Sequence, residues 1–237
     1  MDAPLVTGFD GSVAATTAVT VTKRLADGLA EALVVAHSFA PGADIADARA
    51  ESDELLESIA EAGVRTRSIA GHSAADGLRD IARYEGAAML AVGRSHYGAI
   101  GRALDGVPGK LIHHAPCPVL VVPADASAQF DVIGVAYDGR DESRVALTAA
   151  QDIARRLGAR LVALSVGVTP PAEDVAEQRT LEGHAGAALV DACADGIDLL
   201  VMGSRGRGPV ATVAAGSVSR HLADHAPCPV LIVPRAA

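Results

Sequence analysis

The chain predicts an α/β fold: two copies of one five-strand parallel-sheet domain, the second copy shortened. Three observations carry this. Half of the 237 residues are hydrophobic, only 3% are aromatic and Trp is absent, so the core is aliphatic, as suits buried parallel strands under Ala-rich helices. Apolar runs of strand length alternate with helical stretches joined by short turns. And "HHAPCPVLVVP", ending at Pro123, returns as "DHAPCPVLIVP", ending at Pro234.

The repeat sets the domain boundaries. Cys117 and Cys228 stand 111 positions apart, and Gly93 of "AAMLAVGRS" and Gly203 of "IDLLVMGSR" stand 110 apart. Asp10 of "LVTGFDGS" and Asp138 of "VIGVAYDGR" stand 128 apart. The second copy has therefore lost about eighteen residues from its middle. The domains read as residues 1–125 and 130–237.

In the first copy, residues 5–10 form a strand that ends in the turn Asp-Gly-Ser, and Ser12 caps a helix running to about Gly28. Residues 32–38 are the second strand, and 44–61 a polar amphipathic helix whose acids read as a solvated face. Residues 64–69 alternate as a half-buried strand, 74–84 are helical, and 87–93 are the fourth, buried strand. A helix reaches His114, and 119–122 are the last strand. This alternation implies right-handed crossovers with helices on both faces.

The second copy repeats the scheme with one gap. Residues 161–168 are its second strand, "TPPAED" follows at once, and 175–181 are its third strand. A parallel crossover usually needs a dozen or more residues. Either the third strand pairs differently or it is displaced from the sheet. The final strands, "PVLVVP" and "PVLIVP", belong at sheet edges, where open apolar strands aggregate. Pairing them across the duplication in a pseudo-twofold arrangement covers both.

Composition excludes several classes. A net charge of −9 argues against nucleic acid as a general partner. No apolar run approaches the roughly 18 residues of a membrane helix, and the start shows no secretory signal. Three cysteines, Cys117, Cys193 and Cys228, without a Cys-x-x-Cys pair, suit a reducing compartment and buried thiols.

The candidate site is "LLVMGSRGRGPVATVAAGSVSR", residues 199–220, with the spacing Gly203-x2-Gly206-x9-Gly216-Ser217. Glycines let a backbone approach a phosphate, and a helix start offers unpaired N–H groups and a positive dipole end. Ser217 and Ser219 can add hydroxyl donors around Val218, and Arg205, Arg207 and Arg220 make the stretch cationic. It is neither a Gly-Lys-Ser/Thr phosphate loop nor Gly-x-Gly-x-x-Gly. Its place at the carboxyl end of a strand is where open α/β sheets bind ligands. The alternative is a Gly-rich loop that merely caps a helix.

This stretch and its His-Ala-Pro-Cys-Pro-Val tail resemble the signature of the universal stress protein family, and "VAYDGRDESRVALTAA" resembles that family's first strand and helix. The resemblance runs twice through the chain, as in tandem-domain members. It implies a Rossmann-like, adenine nucleotide α-hydrolase-like fold in each copy. In one subgroup it implies ATP binding, Mg²⁺ accompanying the phosphates, with at most slow hydrolysis. It further implies dimerisation through the last strand and cytoplasmic roles in stress, with a protein partner left unnamed. By the same resemblance Asp138 contacts the ribose or adenine side, Val166 lines the adenine, and Gly203, Gly206, Gly216 and Ser217 hold the phosphates. Asp138 also reads as a plain turn residue, and Val166 as plain core.

The first copy departs from that motif. His96 replaces the second glycine, Val107 replaces the hydroxyl, and Pro108 lacks an N–H at the helix start. Its site, built on Asp10, Gly93 and Gly106, reads as degenerate. The second copy lacks the helix after its second strand, which puts its grip on the base in question. His221 and His225 share a helix face near Cys228, but no third metal ligand has matched spacing, and His113 and His114 read the same way. No nucleophile–base pair is evident. The chain thus reads as an ATP-binding stress regulator or sensor, the alternative being a dimeric interaction scaffold that binds no nucleotide.

Overall fold

The computed structural model describes residues 3–42, 44–60, 63–94, 106–204 and 216–234. The chain divides into two compact units, Met1–Ala124 and Asp125–Ala237.

In the first unit the strands are β1 (Leu5–Gly8), β2 (Leu33–Phe39), β3 (Val64–Ala70), β4 (Met89–Arg94) and β5 (Val119–Pro123). The helices are α1 (Val13–Leu29), α2 (Ile45–Glu57), α3 (Ala74–Glu85) and α4 (Val107–His114). The strand order is β3-β2-β1-β4-β5, all parallel. Right-handed crossovers put α1 and α2 on one face and α3 and α4 on the other.

Side-chain chemistry explains the elements. Ser12 sits at the N-cap of α1 and its Oγ accepts from the Ala15 N–H at 3.1 Å. The helix buries Ala14, Ala18, Val21 and Leu25, one stripe at helical spacing, against β1, β4 and β5. Val34, Val35, Leu90, Leu120 and Val122 are wholly enclosed, because both faces of these strands are covered.

In the second unit the strands are β6 (Val132–Ala136), β7 (Arg160–Val166), β8 (Glu177–Leu181), β9 (Leu199–Gly203) and β10 (Val230–Val233). The helices are α5 (Asp141–Leu157), α6 (Ala185–Ala194) and α7 (Ser217–His225). The order is β10-β9-β6-β7-β8, again parallel. The Asp198 carboxylate fixes the start of β6, accepting from the N–H groups of Asp131 at 2.9 Å and Val132 at 2.8 Å.

Three elements stop earlier than the sequence suggests. β1 ends at Gly8, and Asp10 turns the chain as its Oδ1 accepts from the Ser12 N–H at 3.0 Å. α2 ends at Glu57, where the Ser58 hydroxyl donates to the Leu55 carbonyl at 2.6 Å and draws the backbone out of the helix. β7 ends at Val166, because Gly167 takes a left-handed φ of 75°.

The third strand of the second unit corrects both readings of the gap. β8 is neither displaced nor paired irregularly: it lies parallel to β7 in plain register, Val162 opposite Glu177 through Val166 opposite Leu181. The dozen-residue expectation assumes a helix in the crossover. A five-residue strand needs a return of only about 13 Å, and residues 167–176 in extended form reach twice that. This loop is held down along its length. The Gln151 side chain of α5 donates to the Glu173 carbonyl at 2.9 Å, Ala172 N–H donates to Gln178 Oε1 at 2.8 Å, and Ala176 N–H donates to the Leu161 carbonyl at 2.9 Å. The loop therefore runs where the second unit's counterpart of α2 would lie.

Candidate functional site

A cavity of about 470 Å³ opens at the carboxyl ends of the second unit's strands. It lies where the strand order reverses, between β6 and β9, the usual ligand position in such sheets. Asp138, Val166, Gly203, Gly216, Ser217, Val218 and Ser219 all border it. Arg205 and Gly206 lie outside the described residues.

Each side of the cavity has a local cause. After β6, Gly139 adopts φ 78° and lets the chain turn sharply. Asp138 Oδ1 accepts from the Arg140 N–H at 3.1 Å, and its Oδ2 meets the Arg140 guanidinium at 3.3 Å. So the turn role of Asp138 is present, as it is for Asp10, and the carboxylate borders the cavity as well. Both partners of this ion pair are partly exposed, so it contributes at most about 1 kcal/mol.

Packing within the unit by itself demands glycine at position 203. A Cβ there would fall on the backbone carbonyl of Glu142, in the first turn of α5. Gly93 stands in the same relation to the Ala14 carbonyl of α1. In both units the fourth strand and first helix touch main chain to main chain at this point.

The two helix starts at the cavity differ electrically. α5 carries Asp141 and Glu142 in its first turn, which complement its positive end. α7 has no acid in its first turn, and Gly216 at its N-cap supplies no side-chain cap. Its leading N–H groups therefore keep their capacity for an anion. Ser217 is exposed at this end. Ser219 is buried and its hydroxyl donates to the Gly216 carbonyl at 3.1 Å. The donor role read for Ser219 in the sequence is thus engaged within the helix turn, leaving Ser217 as the open hydroxyl.

In the first unit the matching cavity measures about 100 Å³. Asp10, Gly93 and Val107 border it, while Gly106 sits outside the lining at the N-cap of α4. The His37 side chain borders it too, with Nδ1 held 2.7 Å from the Ser52 hydroxyl of α2. Burial pushes the His37 pKa below its ordinary value, and the nearby Asp10 carboxylate opposes that shift.

The His221 and His225 rings stack with centroids 4.3 Å apart, and His225 Nδ1–H donates to the His221 carbonyl at 2.9 Å. Among the described residues no group of three or more His, Cys, Asp or Glu is placed to hold a metal. All three cysteines are buried and unbridged. Burial pushes the Cys117 thiol up to about 12. A hydrogen bond with Cys228, and then burial, push Cys193 upward as well.

Sequence reasoning missed several lining residues. Arg140 was visible as the arginine standing where the first copy has its capping Ser12. Tyr137 lies beside Asp138 in the first-strand stretch, while Thr169 and His184 carry no motif and only folding places them at the cavity.

The fold and cavity define a duplicated Rossmann-like α/β protein with a ligand-sized site in its second unit. The model of the universal stress protein family matches residues 3–123, 129–180 and 171–234, and the chain belongs to that family. A universal stress protein of Mycolicibacterium smegmatis is 34% identical over 183 residues, 62% of each chain. The chain thus spans about three fifths of that relative's length. One from Thermus aquaticus is 33% identical over 135 residues, 44% of this chain and 98% of the other. The crystal structure of a universal stress protein from Archaeoglobus fulgidus superposes with a TM-score of 0.77 at 21% identity, covering 98% of both chains. Among the described residues no helix is long and apolar enough to cross a membrane.

Proposed function

We propose that the second unit binds ATP, and that binding regulates association with a protein partner or a second copy in a cytoplasmic stress response. The observation that carries this reading is the 470 Å³ cavity with the acid-free, uncapped start of α7 at one end. That volume falls within the roughly 300–1,000 Å³ typical of small-ligand sites. The phosphates lie against the N–H groups and hydroxyl of Ser217, with Val218 beside them. Asp138 faces the ribose, and Leu164, Val166 and Leu189 supply apolar surface for the base.

The donor set suits Mg²⁺ only as a companion of the triphosphate. Asp138 and Glu142 are the lining carboxylates, and Asp138 already meets Arg140. When bound, Mg²⁺ would offset phosphate charge. In this reading hydrolysis is at most slow, and His184 is the imidazole that borders the cavity among the described residues.

The first unit serves as a non-binding copy in this reading. Its 100 Å³ cavity is below the range for a nucleotide.

The test is Ser217→Glu. An acid at this exposed first-turn position favours the helix and repels phosphate. Titration with fluorescent ATP should saturate for the native chain and weaken about ten-fold or more for the variant, at unchanged melting temperature. Equal affinity in both, or no saturation up to millimolar ATP, overturns the reading.

A further inference from the structure

The cavity of the second unit does not end at the base. Val166, Val168, Thr169 and Gly183 border both it and a second, open depression of about 710 Å³. Gly167, Thr180, Leu181 and Glu182 complete that depression, over the carboxyl ends of β7 and β8. Strands are about 4.8 Å apart, and β9 and β8 are three places apart in the order. The depression therefore adjoins the end of the cavity away from α7.

The first unit shows what normally fills this place. Phe39 ends β2 where Gly167 follows β7, each 29 residues beyond the aspartate of its copy. The Phe39 ring is buried, and Arg49 of α2 lies over it with its guanidinium carbon 5.7 Å from the ring centroid. The second unit has a glycine for the ring and a loop for the helix. Removal of both leaves the depression open and the Val168 side chain wholly exposed beside it. Val166, Val168 and Leu181 give it apolar surface, and Thr169, Thr180 and Glu182 give it polar groups.

We infer that this site takes an adenine nucleotide enlarged at its base, carrying an aryl-sized group that lies in the depression. The inference rests on the nucleotide reading of the cavity. The eighteen-residue loss then widens ligand choice rather than weakening the site. Thr180 and Glu182 border the depression and not the cavity, so they set tolerance for the added group without touching the rest of the ligand.

The experiment compares ATP with N6-benzyl-ATP and with 2- and 8-aryl-substituted ATP by calorimetric titration of the full chain. At least one analogue should bind within about three-fold of ATP. Thr180→Trp and Glu182→Trp should each weaken that analogue about ten-fold while holding ATP within about two-fold. Saturable ATP binding with all three analogues more than about ten-fold weaker overturns the inference and leaves the nucleotide reading standing. Tolerance of an analogue unaffected by both tryptophans also overturns it. Absence of binding by ATP and every analogue overturns both.

Discussion

Gly203→Ala offers a sharp test of why the fourth strand ends in glycine. The added methyl would meet the Glu142 carbonyl oxygen and carbon, with the Glu142 Cβ at 3.0 Å. Backbone cannot rotate aside as a side chain does, so the first turn of α5 must withdraw by on the order of 1 Å. Overpacking of this kind costs about 1–3 kcal/mol. For a unit of this size each kcal/mol lowers the melting temperature by roughly 4 °C, so the second unit should melt about 4–12 °C lower. Gly93→Ala should act the same way on the first unit, where the methyl meets the Ala14 carbonyl and the Ala15 nitrogen at 2.8 Å. Gly42→Ala is the control: nothing lies within 4 Å of a methyl there, so stability should hold or rise slightly. Calorimetry of the three variants beside the native chain reads the effect. If Gly203→Ala melted normally and only lost nucleotide affinity, the glycine would serve the ligand and the packing account would fail.

Two further outcomes follow from the site. Gly216 sits at φ −63° and ψ 161°, open to any residue, so Gly216→Ser should fold normally. Its hydroxyl should cap α7, gaining a few tenths of a kcal/mol in urea titration, while engaging an N–H needed for phosphate and so lowering ATP affinity; higher stability with unchanged affinity would refute the anion role of that helix start. Burial lowers the folded pKa of His37 below the ordinary value of about 6.5, with the Asp10 carboxylate opposing the shift. The unfolded chain then binds the proton first, and the contribution is complete above about pH 6.5 and lost as pH falls through that value toward the folded pKa. The native chain should lose more stability than His37→Asn between pH 7 and 5, by no more than about 1.4 kcal/mol per pH unit; parallel curves would exclude His37 as the cause.

Much of the architecture was legible because the chain states it twice. The aligned aspartates, glycines and Ala-Pro-Cys-Pro tails mark equivalent strands without any tertiary information. The gap before β8 was misjudged because the crossover rule describes helical crossovers, and side-chain amides such as Gln151 and Gln178 pin an extended one instead. The cavity was legible at its strand ends, where Asp138 and Gly203 sit. The reason for Gly203 was not, since contact between a strand end and the Glu142 backbone leaves no mark in spacing. The Ser219 hydroxyl bond to the Gly216 carbonyl was hidden for a similar reason: it depends on helix geometry, not on the motif. Thr169 and His184 reach the cavity through a loop path and a helix start that no periodicity encodes.

The shielded thiols give each unit its own chemical clock. Cys117 belongs to one unit and Cys193 and Cys228 to the other, and none is accessible while its unit is closed. An alkylating reagent can reach them only through openings of the surrounding core, so label at position 117 counts excursions of one unit and label at 193 or 228 those of the other. The protein thus carries, without any engineering, separate recorders for the half that holds the wide cavity and the half that does not.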